Sequence, residues 1–263
     1  MTAIQGTALV TGASGGIGQA IARALAAHGA HVVLTGRRAD VLEPLAQELR
    51  GRALAIDLAD RDAVARLVEQ AGDVEILVAN AALPAAGLLD DFAPVEVDRA
   101  LDVNLRAPIM LAKLLGEPMA RRGHGHLVFI SSLSGKAASP RGSLYSATKF
   151  GLRGFALSLR DDLRPSGVGV STIFPGFIRD AGMWANAGAR LPRGVGTRAP
   201  GDVATAVVRA IEHNRAEVDV APFGLRVGAG LAGLAPELSA RMSHLLGGTR
   251  IAEQLASGHH GNR

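Results

Sequence analysis

Short apolar runs alternate along this chain with longer helical stretches. The runs fall at 7–11, 31–35, 53–56, 75–79, 126–131, 168–174 and 217–221. The stretches between them fall at about 16–28, 39–50, 60–71, 94–122, 143–163 and 200–213. The runs lack the polar–apolar alternation of a strand with one wet face, so each predicts a strand covered on both sides. Strands of that kind, separated by helices, form a parallel sheet with right-handed crossovers. The expected fold class is α/β: a doubly wound, mostly parallel seven-stranded sheet with helices on both faces. No repeat or linker interrupts the pattern, and residues 1–255 read as one domain.

Three segments stand outside the pattern. Residues 177–199 are rich in Gly, Ala and Arg, lack periodicity and leave the carboxyl end of a strand, which suits a substrate lid. Residues 223–255 form a C-terminal extension. Its part Phe223–Pro236 carries only Arg226 as a charge, and an amphipathic run to Leu246 follows. Such a segment could lie on a membrane surface; covering the active site or a subunit interface is the preferred reading. Residues 256–263 have the composition of a frayed tail.

Composition narrows the class. With 48% of 263 residues apolar, the chain can bury one large core, and 20% charged residues without long like-charge blocks exclude a disordered chain. There is no cysteine, so disulfide, zinc–thiolate and thiol chemistry are out. No stretch of 18 uncharged apolar residues and no signal-like N-terminus are present, and a cytoplasmic protein is expected. The formal charge of +4 suits an anionic ligand. The arginines are scattered rather than run together, so nucleic acid is not an expected partner.

The first strand runs into Thr11-Gly12-Ala13-Ser14-Gly15-Gly16-Ile17-Gly18 and then a helix. Glycines there let backbone approach a phosphate, and a new helix aims free N–H groups at it. A purely structural turn is the alternative. The second strand ends Gly36-Arg37-Arg38. An acidic residue at such a place would bind a ribose 2′-hydroxyl, whereas arginine accommodates a 2′-phosphate. Arg37 and Arg38 therefore point to NADP(H) over NAD(H), unless they merely solvate a helix start. Asp57-Leu58 follow the third strand, where Asp57 could also cap the next helix, although Asp60 is the better cap candidate.

Ser132 lies just past the fifth strand, and Tyr145 and Lys149 follow at i and i+4, on one helix face. Tyr145 is the only tyrosine, and the chain has 25 Arg but only 3 Lys. A compact ammonium at that place, in a chain that otherwise uses guanidinium groups, points to chemistry. A core tyrosine beside a surface lysine is the bland alternative. A phenol titrates near 10, and a neighbouring ammonium together with the positive nicotinamide of an oxidised cofactor favours its ionised form, so Tyr145 is expected about two to three units below that value.

The glycine spacing, the Ser132, Tyr145 and Lys149 set, and a partial Asn-Ala match at Asn80-Ala81 together resemble the short-chain dehydrogenase/reductase family, in its compact branch. The likeness spans residues 5–222. It implies a Rossmann-like domain and an NADP(H)-dependent oxidoreductase that moves a hydride between nicotinamide and a carbonyl or alcohol carbon. It further implies that Gly12, Ser14, Gly16, Ile17, Gly18, Arg37, Arg38, Asp57, Leu58, Asn80, Ala81, Pro175, Gly176 and Ile178 hold the cofactor, with Tyr145 and Lys149. Asp57 and Leu58 would contact the adenine and Ile178 the carboxamide. Ser132 would orient the substrate oxygen, Tyr145 would trade its proton, and Lys149 would hold the ribose. Asn104 would kink the long helix 94–122 and hold a relay water. Asp180 stands where relatives often have Thr, and its role stays open.

Leu83, Pro84, Leu88, Leu133, Leu144, Phe177, Met183 and Trp184 read as an apolar pocket wall, for a small apolar carbonyl or alcohol substrate. Arg179, Arg190, Arg193 and Arg198 could attract an acidic group or merely solvate the loop. Helices 94–122 and 143–163 are the expected contacts of a homodimer or homotetramer. A non-catalytic NADP-binding regulatory or scaffold protein is the alternative function.

Overall fold

The computed structural model describes residues 4–182, 196–234 and 237. Its strands are β1 (Thr7–Thr11), β2 (His31–Gly36), β3 (Arg52–Ala55), β4 (Ile76–Ala79), β5 (His126–Ile130), β6 (Gly169–Pro175) and β7 (Glu217–Val220). Its helices are α1 (Gly16–Ala27), α2 (Ala39–Glu48), α3 (Ala63–Ala71), α4 (Pro94–Leu101), α5 (Ala107–Arg122), α6 (Ser143–Leu163), α7 (Pro200–Glu212) and α8 (Phe223–Leu234). The strands form one all-parallel sheet in the order β3-β2-β1-β4-β5-β6-β7. The winding direction reverses between β1 and β4. That reversal opens a crevice at the carboxyl ends of these two strands, where such sheets bind ligands.

Successive strand residues feed opposite cores. Ala8 and Val10 of β1 join Ile21 and Leu25 of α1, Leu42 of α2 and Val207 of α7. Leu9 joins Leu67 of α3, Leu111 of α5 and Leu152 of α6. The central strands β4, β5 and β6 are buried throughout, which is why they are apolar apart from His126, Ser171 and Thr172.

Two expected elements change. The stretch 94–122 is not one helix: α4 and α5 are separated by a wider π turn over Asp102–Arg106, where the Ala107 N–H reaches back to the Asp102 carbonyl. The helix expected from residue 60 begins at Ala63. Asp60 caps its approach, accepting from the N–H groups of Asp62 (2.9 Å) and Ala63 (3.3 Å). Among the described residues no helix is long and apolar enough to cross a membrane. Helix α8 exposes Phe223, Val227 and Leu231 along one stripe. The expected lid 177–199 is described only at its two ends. Met183, Trp184, Arg190, Arg193, the run to Leu246 and the tail 256–263 lie outside the described residues.

At the opposite end of the sheet, His126 is buried, with Nε2 2.8 Å from Ser171 Oγ. Ser171 gives its proton to the Arg215 carbonyl (2.6 Å), so His126 Nε2 is the donor of the pair. Burial, helped by the charge of Arg160, pushes the imidazole pKa down to about 4. The unfolded chain takes up this proton near 6.5 and the folded one only near 4. Stability is therefore intact above about pH 6.5 and falls between there and pH 4, by about 3 kcal/mol in total. His126→Gln should remove this term. The drop in Tm from pH 7 to pH 5 should then be smaller than in wild type by about 4 °C or more; equal drops would contradict the assignment.

Candidate active site

The crevice begins at the turn between β1 and α1. Gly12 adopts φ +64°, and a Cβ there would stand 2.8 Å from the Ala81 Cα, so only glycine lets β1 and the end of β4 approach this closely. Asn80 fastens the two strand ends. Its Nδ2 donates to the carbonyls of Thr11 (3.0 Å) and Gly12 (3.3 Å). The backbone N–H groups of Asn80 and Ala81 both donate to Thr11 Oγ1, each at 3.0 Å. Thr11 thus organises the turn. From the sequence it stood in the motif without a role of its own, although a hydroxyl at a strand end directly before Gly12 was the signal.

Helix α1 starts at Gly16. The amides of its first turn, including Gly16, Ile17 and Gly18, have no acceptor within the helix and carry the positive end of its dipole. Gly18 lies under the Gly12 carbonyl, with no room for a side chain. Beyond β2, Arg37 and Arg38 are exposed, and Arg38 Nη2 donates to the Ser14 carbonyl at 2.5 Å. A Cβ on Gly36 would stand 2.9 Å from Ser14 Oγ, so a side chain there would displace Ser14. Bare backbone amides followed by two guanidinium groups fit a dinucleotide with a 2′-phosphate.

Asp57 is partly exposed and Leu58 buried. Asp57 Oδ1 accepts from the Ala59 N–H (3.0 Å), and Oδ2 accepts from Arg99 (2.7 Å). Burial raises its pKa, but the Ala59 amide, the Arg99 guanidinium and the charge of Arg37 outweigh that and hold it below the usual value. Asp57 is thus a steady anionic acceptor and not the cap of α3. Arg99 was not singled out from sequence, because nothing local marks a partner 42 residues away.

The reacting groups meet where β5 ends against α6. Ser131 Oγ donates to the Lys149 carbonyl (3.1 Å). Ser132 opens a single 3-10 turn over Leu133–Gly135, its Oγ accepting from the Ser134 N–H (3.1 Å). The bare Gly135 lets this turn pack on the Lys149 carbonyl, 2.7 Å from where a Cβ would be. Across from it, Tyr145 and Lys149 project from adjacent turns of α6. Lys149 Nζ donates to the Ile130 carbonyl (3.0 Å) and sits 5.6 Å from the centroid of the Tyr145 ring. Ser132 is close enough to the Tyr145 phenol to pull its pKa downward.

The Lys149 ammonium alone does not hold the Tyr145 phenol below its ordinary value. Burial pushes the phenol above its ordinary pKa, and Ser132 only partly opposes this. The reason is desolvation: the phenolate loses more hydration than the surroundings return. The same burial pulls Lys149 down to about 8, so at neutral pH most molecules still carry the ammonium.

Asn104 sits in the π turn and is fully buried. Its Oδ1 accepts from the Leu83 N–H (2.6 Å) and its Nδ2 donates to the Leu83 carbonyl (3.0 Å). The side chain braces the segment after β4 against the π turn that interrupts the helix where Asn104 was expected to kink it. On the far side, the Gly176 N–H donates to the Val220 carbonyl (3.0 Å), and Gly176 leaves space that Leu133 approaches. Pro175 is the buried last residue of β6. Ile178 is buried in the core and pairs with Arg198. Asp180 is exposed at φ +64°, with Oδ2 3.6 Å from Arg179 Nε.

Of the expected wall, Leu83 is buried and Pro84, Leu133 and Phe177 are half-buried. Leu88 is exposed. Leu144 belongs to a small core with Ala85, Phe92 and Ala100, against which Tyr145 packs. The sheet thus brings the glycine turn, Asn80, Ser132, Tyr145 and Lys149 to one end. Arg37, Arg38 and Asp57 flank them.

Comparison with known proteins agrees with this geometry. The family model described as short chain dehydrogenase matches residues 6–191. Nodulation protein G of Rhizobium sp. (strain N33) is 42% identical over 180 residues, covering 66% of this chain and 74% of that protein. Ketoacyl reductase HetN of Nostoc sp. is 36% identical over 230 residues, covering 84% of this chain and 80% of the relative. A short-chain dehydrogenase from Sphingobium yanoikuyae, solved in complex with NADPH, superposes with a TM-score of 0.76 at 28% identity, over 88% of this chain and 94% of the other. With the Ser132, Tyr145 and Lys149 constellation at the carboxyl end of a doubly wound sheet, this chain belongs to the short-chain dehydrogenase family.

Proposed function

We propose that this protein uses NADPH to reduce the carbonyl of an apolar substrate. The carrying observation is the convergence of the Ser132 hydroxyl, the Tyr145 phenol and the Lys149 ammonium where β5 meets α6. NADPH, when bound, supplies the hydride. Ser132 donates a hydrogen bond to the substrate oxygen, and Tyr145 gives it a proton. Lys149 keeps positive charge beneath the phenol and is the group on α6 suited to ribose hydroxyls. The raised Tyr145 pKa favours the protonated phenol, which is the form that reduction requires. Arg37 and Arg38 would pair with the 2′-phosphate, while the α1 amides, Ser14, Asn80, Ala81 and Asp57 would hold the rest of the dinucleotide. The name of the Nostoc relative points to a ketoacyl compound, which suits the apolar Leu83, Leu133 and Phe177.

The site works in a self-associated protein. Helix α6 presents Ala147, Phe150, Gly151, Gly154 and Leu157 on one exposed face, with Phe150 40% and Leu157 39% accessible. A second copy of the chain would bury this face.

The test of function is NADPH and NADH oxidation against ketones, aldehydes and 3-ketoacyl thioesters. Wild type should turn over at least one class and prefer NADPH about ten- to a hundredfold. Tyr145→Phe should lose at least about a thousandfold in kcat, and Arg37→Ala with Arg38→Ala should erase the preference. NADPH binding without turnover of any carbonyl, or activity retained by Tyr145→Phe, would favour the binding-protein reading instead. For assembly, Phe150→Glu should shift the sedimentation coefficient toward the monomer; an unchanged value would place the interface elsewhere.

A further inference from the structure

Lys136 is one of three lysines in a chain with 25 arginines, and it follows Ser132 by four residues. Its Nζ lies 2.7 Å from Asp219 Oδ1 and 3.1 Å from Glu217 Oε2, and 4.0 Å above the centroid of the Phe174 ring. Glu217 is shared. Its other oxygen takes Arg153 Nε at 2.6 Å, and Arg153 Nη2 reaches Glu217 Oε2 at 3.1 Å. Arg153 stands one further turn along α6 from Lys149, on the face that carries Tyr145 and Lys149. Two cations and two anions thus close a neutral cluster over Phe174, which is itself fully buried at the end of β6. The lysine and both carboxylates are less than a quarter exposed, so the cluster is screened less than a surface pair.

We propose that Lys136 is a positioning residue: through Asp219 and Glu217 it ties the turn that carries Ser132 to the same edge strand that Arg153 ties to the helix of Tyr145. The inference rests on the reading of Ser132 and Tyr145 as the reacting pair. The Ser132 turn is only three residues long and ends at Lys136. Its beginning is held by β5 and its end by this ammonium. Without the ammonium, two carboxylates two residues apart on one face of β7 lose a shared partner and repel. Relaxation of that repulsion moves the end of the turn, and with it the Ser132 hydroxyl. The burial that raises the Glu217 pKa is outweighed by Arg153 and Lys136, so this carboxylate depends on both cations.

Because Tyr145 is the only tyrosine, its ionisation can be read directly from ultraviolet phenolate absorbance, with no substrate needed. The titration is run on the protein saturated with NADP+, for wild type, Lys136→Met, Lys136→Arg, Ser132→Ala and the double variant Ser132→Ala/Lys136→Met. Lys136→Met should raise the phenol midpoint by about half a pH unit or more, because the Ser132 donor is withdrawn from the phenolate. Lys136→Arg should return most of the way to wild type. Lys136→Met added to Ser132→Ala should change nothing further. In turnover, Lys136→Met should lower kcat about tenfold while the KM for NADPH stays within about threefold. A Lys136→Met midpoint equal to that of wild type, or shifts that add in the double variant, would overturn the proposal. Should Lys136→Met not fold, Asp219→Asn loosens the same tie and must move the midpoint upward; no movement overturns the proposal equally. Tyr145→Phe is assayed alongside: full activity there overturns the functional reading itself, whereas its loss beside an unmoved Lys136→Met leaves that reading standing.

Discussion

The structure turns on the seam between the end of β5 and the middle of α6. Lys149 Nζ caps the Ile130 carbonyl, the last of β5, while the Lys149 carbonyl accepts from Ser131 and packs on the bare Gly135. One residue therefore closes the seam with both its side chain and its backbone. A buried ammonium is costly unless it is hydrogen-bonded, and the Ile130 carbonyl is its partner here. The seam sets the separation of Ser132 from Tyr145, and a kink elsewhere cannot alter it without breaking one of these bonds.

Parallel topology explains why everything else collects at the same end. All seven strands deliver their carboxyl ends to one edge, so the loops after β1, β4, β5 and β6 are neighbours in space. Each loop is then fastened by a specific bond. Thr11 and Asn80 join the ends of β1 and β4, Asn104 holds the segment after β4, and Gly176 hangs from the Val220 carbonyl. The π turn at Asp102–Arg106 belongs to this set, since it carries Asn104 to the backbone of Leu83. The far end of the sheet carries the buried His126 instead, which serves packing and makes stability sensitive to acid.

The fold was legible because its central strands are mostly apolar, as a sheet covered on both faces requires; the edge strand β7, Glu-Val-Asp-Val, departs from that pattern. The core of the site was legible because Tyr145 and Lys149 are rare residues in this chain, set one helical turn apart. What stayed hidden was long-range or environmental. Arg99 and Asp57 meet only after folding. The pKa of Tyr145 depends on how much water the folded protein removes, which proximity of an ammonium in sequence does not reveal. Lys136 was within reach: the scarcity that marked Lys149 marks it equally.

The most direct test of this account is the protonation of Lys149 itself. With only three lysines, selective labelling of their side-chain ε positions leaves a spectrum simple enough to assign by loss of a signal in Lys149→Arg. The Lys149 signal should titrate near pH 8, set by burial at the β5–α6 seam. Titration near 10.5, the ordinary value for a solvated lysine, would mean that the ammonium lies in water and that the seam is not closed as described.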